Sequence, residues 1–280
     1  MARRFASLVR DPRYYQVAAL SSLLTYGITI LDFPVTIVHA LAIEMTALAT
    51  QWSAGKLVGL RRFDPMSALI TALSLTLLLR TDSLGVAALA AVIAIGSKFL
   101  IRAKGKHVFN PANFALVVLS FATPHAWLSS GQWGNTTLLA FGFVCLGFLV
   151  LTRARRAETT LAFLGSFAAL LIGRALWLGD PLSIPVHQLQ NGALLLFAFF
   201  MISDPKTTPD NRSGRVIYGS LVAVVAYVIQ FVMYEPHGAI TALILCSPCV
   251  PLIDRLFAGE RYAWAVRSNR RRRHNQGVVI

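Results

Sequence analysis

The sequence predicts an all-α polytopic membrane protein: about ten transmembrane helices in a 5+5 inverted repeat, with short broken helices in each half. Three observations carry this expectation. The chain of 280 residues is 56% apolar and 14% charged, where soluble domains hold about 45–50% and 25%. At roughly 20 apolar residues per span, it has room for about ten short spans and no separate soluble domain. Finally, its 26 Lys and Arg alternate between crowded and empty inter-span segments.

Segment 1–13 is a basic lead (Arg3, Arg4, Arg10, Arg13). It shows no small-residue cleavage pattern, so the first span is expected to stay as an anchor. The first repeat, 14–122, holds Tyr14–Leu31, Pro34–Trp52, Met66–Leu79, Leu84–Ile101 and Asn110–Ala122. An external linker, 123–136, leads to the second repeat, 137–253. Its spans are Thr137–Thr152, Thr159–Leu178, Asn191–Ser203, Arg215–Tyr234 and Gly238–Ile253, followed by a basic tail, 254–280. The third, fifth and eighth spans are short, and by length alone would be re-entrant. Charge argues that they cross. With both termini cytoplasmic, in a bacterial-type inner membrane, every Lys and Arg except Arg80 and Arg174 falls on the inside, as topology requires.

The charge of +14 is thereby absorbed by topology. A nucleic-acid partner is not expected, because that would need a basic polar surface. The run Arg270 to Arg273 is expected to lie on anionic lipid or to dock an acidic partner.

The repeat has local support. The third span reads FDPMSALITALSL and the eighth QNGALLLFAFF; each opens on a small residue, Ala and Leu (Ser67, Ala68, Leu69; Gly192, Ala193, Leu194) and ends near an Asp (Asp82; Asp204). The fifth opens HVFNPANFALVV and the tenth EPHGAITALILC. Short Pro/Gly-interrupted spans at matching positions point to a midplane binding site. Non-helical backbone at that depth needs protein or a lined cavity to satisfy it.

Candidate residues follow from those breaks. Asn110 is an expected N-cap, and a helix start beside His107 and a lysine cluster suits an anion; His107, Asn110 and Asn113 are candidates for binding. Lys98 and Arg102 are assigned to topology. Asp204, in the turn Asp204-Pro205-Lys206-Thr207-Thr208-Pro209-Asp210, borders the broken eighth span. Ser183, His187 and Asn191 belong to an outer polar group that also includes Arg174, Asp180 and Gln190. Glu44 is the acid well inside a span, fit for an ion pathway or a structural hydrogen bond. Cys246 and Cys249 have redox spacing without the βαβ context that gives it meaning, and packing is the expected role. No Walker loop, dinucleotide fingerprint, triad or zinc spacing is visible, so no autonomous catalysis is expected.

At these residues the chain resembles a known family. KFLIRAKGKHVFNPANFALVV (Lys98 to Val118), NGALLLFAFFMISDPKTTP (Asn191 to Pro209) and EPHGAITALILCSPCVPLIDR (Glu235 to Arg255) resemble RnfD, a membrane component of the Rnf electron-transport complex. They also resemble NqrB, its counterpart in the sodium-pumping NADH:quinone reductase. Stand-alone members found with enediyne-type biosynthesis genes are the most similar in flavour. The resemblance implies a ten-helix fold of the urea-transporter type, partners among other membrane components or biosynthetic-cluster proteins, and a flavin. In the electron-transport members FMN is joined to a Thr in a Ser-Gly-Ala-Thr motif before the eighth span. Here GDPLSIPVHQLQNGALL offers Ser183 at the first position and no Thr. Covalent FMN is therefore not expected; non-covalent FMN, riboflavin or quinone stays open.

Three functions fit these readings: a redox subunit coupled to ion transport, a small-solute transporter or channel-like protein of the same fold, or a cofactor-less component of a biosynthetic complex.

Overall fold

The computed structural model describes residues 11–60, 62–128, 133, 142–144, 146–148 and 157–262. The sixth expected span, Thr137–Thr152, lies largely outside these residues. So do Arg61, Arg153, Arg155, Arg156, the N-terminal arginines before Asp11 and the Arg270–Arg273 run.

Helix forms at every other expected span, and the local reasons repeat. Helices α1 (Pro12–Thr29), α2 (Ile37–Leu57) and α3 (Pro65–Leu78) are followed by α4 (Leu84–Leu100) and α5 (Pro111–Ala122). Asp11, Thr36, Ser83 and Asn110 each accept a first-turn N–H of the helix they precede, removing an otherwise unpaired donor. Pro stands at the starts of α1, α3 and α5, where its missing N–H costs nothing. The second half holds α6 (Ala157–Leu178), α7 (Ser183–Leu189), α8 (Gly192–Leu196) and α9 (Arg212–Phe231). It ends with α10 (Gly238–Cys246) and α11 (Val250–Leu256), joined by a single 3-10 turn.

Among the described residues, three helical stretches are long and apolar enough to cross a bilayer: Ala157–Leu178, Arg212–Phe231 and Gly238–Leu256. A fourth arises if α7 and the Gly192–Met201 helix, bent by 49°, count as one broken span. The molecule is a mostly helical, multi-pass membrane protein. The short third and fifth spans gain length from extended backbone, which the all-α expectation missed. Strand β1 (Leu79–Thr81) prolongs α3, and β4 (Ala126–Leu128) follows α5; the two pair antiparallel, Arg80 opposite Trp127. Fourteen helical residues rise about 21 Å and three extended ones add about 10 Å, close to the ~30 Å hydrocarbon core. The ladder satisfies backbone that leaves the helix. Arg80 serves the same end: its guanidinium donates to the carbonyls of Thr76, Leu77 and Leu79 where α3 stops, and lies over the Phe33 ring.

A second small hairpin, β2 (Arg102–Ala103) with β3 (Lys106–His107), links α4 to α5. It turns through Lys104 and Gly105, both at positive φ.

The core centres on α8 and the π-helical turn Phe197–Met201 that continues it, buried on all sides from Leu195 to Ile202. A helix apolar all round belongs in such a place. Around it, α2 packs chiefly on α4 and α4 on α5; α6 packs on α9 and α9 on α10. The second pair of contacts runs through glycine. A Cβ on Gly219 would stand 2.5 Å from the Thr159 carbonyl oxygen, and one on Gly238 2.6 Å from that of Ala226. Small residues that let backbones approach replace hydrophobic burial as the glue between membrane helices.

Candidate functional site

At one end of the bundle the breaks in α3, α5 and α8 enclose a cavity of about 260 Å³. Its walls come from both halves: Ser67 and Thr71 of α3, Lys98 and Phe99 of α4, His107 of β3 and Asn110 from the first, Phe200, Asp204 and Lys206 from the second. Arg13, Gln51, Asp64 and Arg102 also line it.

Asn110 is built into this junction. Its Oδ1 accepts the Asn113 N–H at 3.1 Å, and its Nδ2 donates to the Met201 carbonyl at 3.2 Å. That carbonyl belongs to the π turn, which shifts the ordinary helical ladder; such turns concentrate at functional sites. Asn113 stands one turn deeper and donates to the Ile240 carbonyl on α10 at 3.0 Å, while its buried Oδ1 has no hydrogen-bond partner among the described residues. Asp204 closes the far side. Its carboxylate accepts the Lys206 N–H, and its carbonyl accepts from the hydroxyls of Thr207 and Thr208.

The electrostatics are strongly local. Burial raises the Asp204 carboxyl above its usual range, opposed by the Lys206 N–H and by the ammonium groups of Lys98, Lys206 and Lys106. Burial also lowers His107 to about 4, helped by Lys98, Arg102 and Lys206. His107 is therefore a neutral imidazole at pH 7, and its buried Nδ1 has no hydrogen-bond partner among the described residues.

Lys98 corrects the sequence reading. Assigned to topology, it is 5% exposed and lies on the cavity wall, its Nζ donating to the Ser67 carbonyl at 2.9 Å and hydroxyl at 3.1 Å. Gln51 was not foreseen at all. It is 7% exposed on the same wall, with Oε1 unpartnered among the described residues.

Thus His107, Asn110 and Asp204 meet at one cavity with Asn113 behind them, and the outer candidates do not join them. Asn191 caps α8, accepting from the Ala193 and Leu194 N–H groups, and lines a second cavity of about 150 Å³ with Gln188, Gln230 and His237. Ser183 and His187 lie on the exposed α7, a segment whose sequence predicts loop rather than helix. Glu44 lies half-buried on α2 and lines neither cavity; no hydrogen bond or ion pair joins it to another described residue. Cys246 is buried and Cys249 half-buried, both as free thiols. Among the described residues no His/Cys/Asp/Glu cluster is placed to hold a metal ion.

Behind the cavity, on the same end, Lys106 of the β2–β3 hairpin is held by Asp210 at 3.0 Å and Asp254 at 2.9 Å. Arg215 pairs with Glu158 and donates to the Asp210 carbonyl. The hairpin is thus tied across to the second half.

Comparison with known proteins gives the chain its relatives, each named as the D component of an ion-translocating oxidoreductase complex. It is similar to that of Erwinia tasmaniensis, 35% identical over 125 residues, 44% of this chain and 34% of that protein. It is similar to that of Sodalis glossinidius, 36% identical over 139 residues, 49% and 39% of the two chains. The Haemophilus influenzae protein is 35% identical over 127 residues, 45% and 34%. The matched stretch spans little more than a third of the curated relatives' own length. A family model described as NQR2, RnfD, RnfE matches residues 127–263, which contain α6 to α11, Asn191 and Asp204. Over that stretch, just under half of its length, the chain is similar to the NQR2, RnfD, RnfE family.

Proposed function

We propose that the chain is an integral membrane subunit of an ion-translocating electron-transport assembly, holding a flavin or quinone non-covalently in the first cavity. The observation that carries this reading is the convergence of His107 and Asn110 from one half and Phe200 and Asp204 from the other on a single buried space. A flat ring needs apolar walls and a few polar groups at its edge. Phe99, Phe200 and Ile70 supply the walls; Gln51, His107 and Asn110 supply the edge. The unpartnered Gln51 Oε1 and His107 Nδ1 are atoms that a bound ring could satisfy. The bound group would supply reversible electron acceptance. The chain's part is to orient it, to keep water from its buried face, and to set the charge around it through Lys98, Asp204 and Lys206. Covalent attachment is not part of this proposal, since α7 and α8 contain no Thr.

The 5+5 inverted repeat with cytoplasmic termini belongs to the same proposal. Its support is the repeated packing order, α2 on α4 on α5 and α6 on α9 on α10, with a cavity at the N-termini of the short helices in each half. Other membrane subunits and anionic lipid are the partners this implies, with Glu44 on the ion path. Those paired cavities also favour a second reading, a small-solute carrier of the same fold, because alternating access in inverted repeats uses sites of this kind.

The absorption spectrum of the purified protein decides between them. A flavin or quinone band near one per chain supports the redox reading. Colourless protein that moves a small solute into liposomes would sink it.

A further inference from the structure

The buried helix from Gly192 to Met201 separates two cavities of opposite character. Phe200, near its end, lines the first, and Asn191, just before its start, lines the second, a helix length of about 15 Å away. Lys98, Lys206, Asp64 and Asp204 are among the walls of the first. No Lys, Arg, Asp or Glu lines the second. Its polar groups are the uncharged side chains of Gln188, Asn191, Gln230 and His237. His237 belongs to that neutral set because burial lowers its imidazole below the ordinary value, opposed by Glu235.

These groups are short of partners. The His237 Nδ1 is buried and has no hydrogen-bond partner among the described residues. Asn191 commits its Oδ1 to the Ala193 and Leu194 N–H groups, which leaves its Nδ2 for the cavity. No hydrogen bond joins the side-chain amides of Gln188 or Gln230 to another described residue. A buried polar atom left unpaired is unfavourable, and a guest that pairs with it removes that penalty.

The remaining wall is aromatic and held in place. Phe167 and Phe197 line the cavity, and both rings pack on Phe163, at centroid distances of 5.6 and 5.1 Å. The volume is about 150 Å³. A cavity of that size admits a benzene ring, whereas sites for guests as large as a tricyclic flavin run to about 300–1,000 Å³. An ion would lose its hydration here and meet no opposite charge. A purely apolar ring would leave the polar groups unpaired. An amide offers a donor and an acceptor in one plane, matching the NH₂ groups of Gln188, Asn191 and Gln230 on one side and the His237 nitrogen on the other.

We propose that the second cavity binds a flat, uncharged amide no larger than one six-membered ring, hydrogen-bonded by Gln188, Asn191, Gln230 and His237 against the Phe167 and Phe197 rings. This site is independent of the redox group assigned to the first cavity and of any repeat in the fold.

Three probes of one shape and different charge test it. Benzamide, benzoate and benzylammonium are titrated into the purified full chain, in neutral detergent at neutral pH, and followed by saturation-transfer NMR. Benzamide is expected to bind about tenfold more tightly than either ion, which the neutral walls cannot compensate. His237→Leu should weaken benzamide about fivefold by removing the unpaired nitrogen. Gln230→Glu sets a carboxylate on the wall and should reverse the preference toward benzylammonium, a gain that also shows the variant to be folded. Should that variant not fold, Gln188→Glu, on the exposed α7, makes the same charge test. Equal affinity for the three probes, no saturable binding of benzamide, or one benzamide affinity shared by the unaltered protein and its variants overturns the site.

Discussion

Asn113 on α5 donates its side-chain amide to the Ile240 carbonyl on α10 at 3.0 Å, joining the short helices that end the two halves of the molecule. Asn113 is buried and Ile240 half-buried, so the bond is largely sheltered. Replacing Asn113 with Leu removes this second bond to a carbonyl that lies within the α10 ladder. Interhelical side-chain hydrogen bonds in membranes are worth about 0.6 kcal/mol on average and up to about 1.7 kcal/mol. Asn113→Leu should therefore lower the melting temperature in detergent measurably without abolishing folding. An unchanged melting curve would show that the contact carries no stability.

The glycines test the packing of the second half more severely. At Gly219 a methyl group would meet the backbone of Thr159 and Phe163, which cannot swing aside as a flexible side chain could. Gly219→Ala should force α6 and α9 apart and cost about 1–3 kcal/mol, the usual range for overpacking. Gly165, on the same helix α6 with nothing within 4 Å of a built Cβ, is the control: Gly165→Ala should be neutral or slightly stabilising through helix propensity. Monodisperse yield on size exclusion separates the two outcomes.

Much of the helical plan is legible in one dimension because each helix carries its own start signal, such as Asn110 before Pro111 or Asn191 before Gly192. What escapes is long-range or ambiguous. The pairing of Leu79 with Leu128 joins segments with no local strand pattern, so the short spans looked merely short. The prolines and polar residues of GDPLSIPVHQLQ concealed α7. Lys98 was misjudged because a lysine near a helix end looks the same whether it fixes topology or lines a cavity. Yet it lies inside α4, while Arg102, Lys104 and Lys106 lie beyond its end. Gln51 gave no signal at all; only the fold reveals that its amide is buried and unpartnered.

His107 makes the cavity sensitive to acid. Its folded-state value of about 4 lies below the ordinary value near 6.5, so the unfolded chain binds the proton first as pH falls. Stability is thus fully present above about pH 6.5 and is lost progressively down to about pH 4, by roughly 3–4 kcal/mol at most. His107→Gln, neutral throughout, should flatten the melting temperature between pH 7 and 4.5 relative to the unaltered protein. Parallel pH profiles for the two proteins would refute this assignment.

The orientation of the bundle can be read directly from two serines. Ser183 opens α7 beside the Arg174–Asp180 pair, and Ser213 lies in the first turn of α9 next to Arg212 and Arg215, which pair with Glu158. Both are exposed, and the positive-inside rule predicts the Arg212–Arg215 end on the cytoplasmic side. In a background without native cysteines, Ser183→Cys should react with a membrane-impermeant maleimide in intact cells. Ser213→Cys should react only after the membrane is opened. Ser129 makes the same outside prediction from sequence, although it lies beyond the described residues. Labelling of Ser213→Cys in intact cells would invert the orientation, and labelling of both from one side would break the odd number of crossings each repeat requires. That second result would remove the proposed inverted repeat itself.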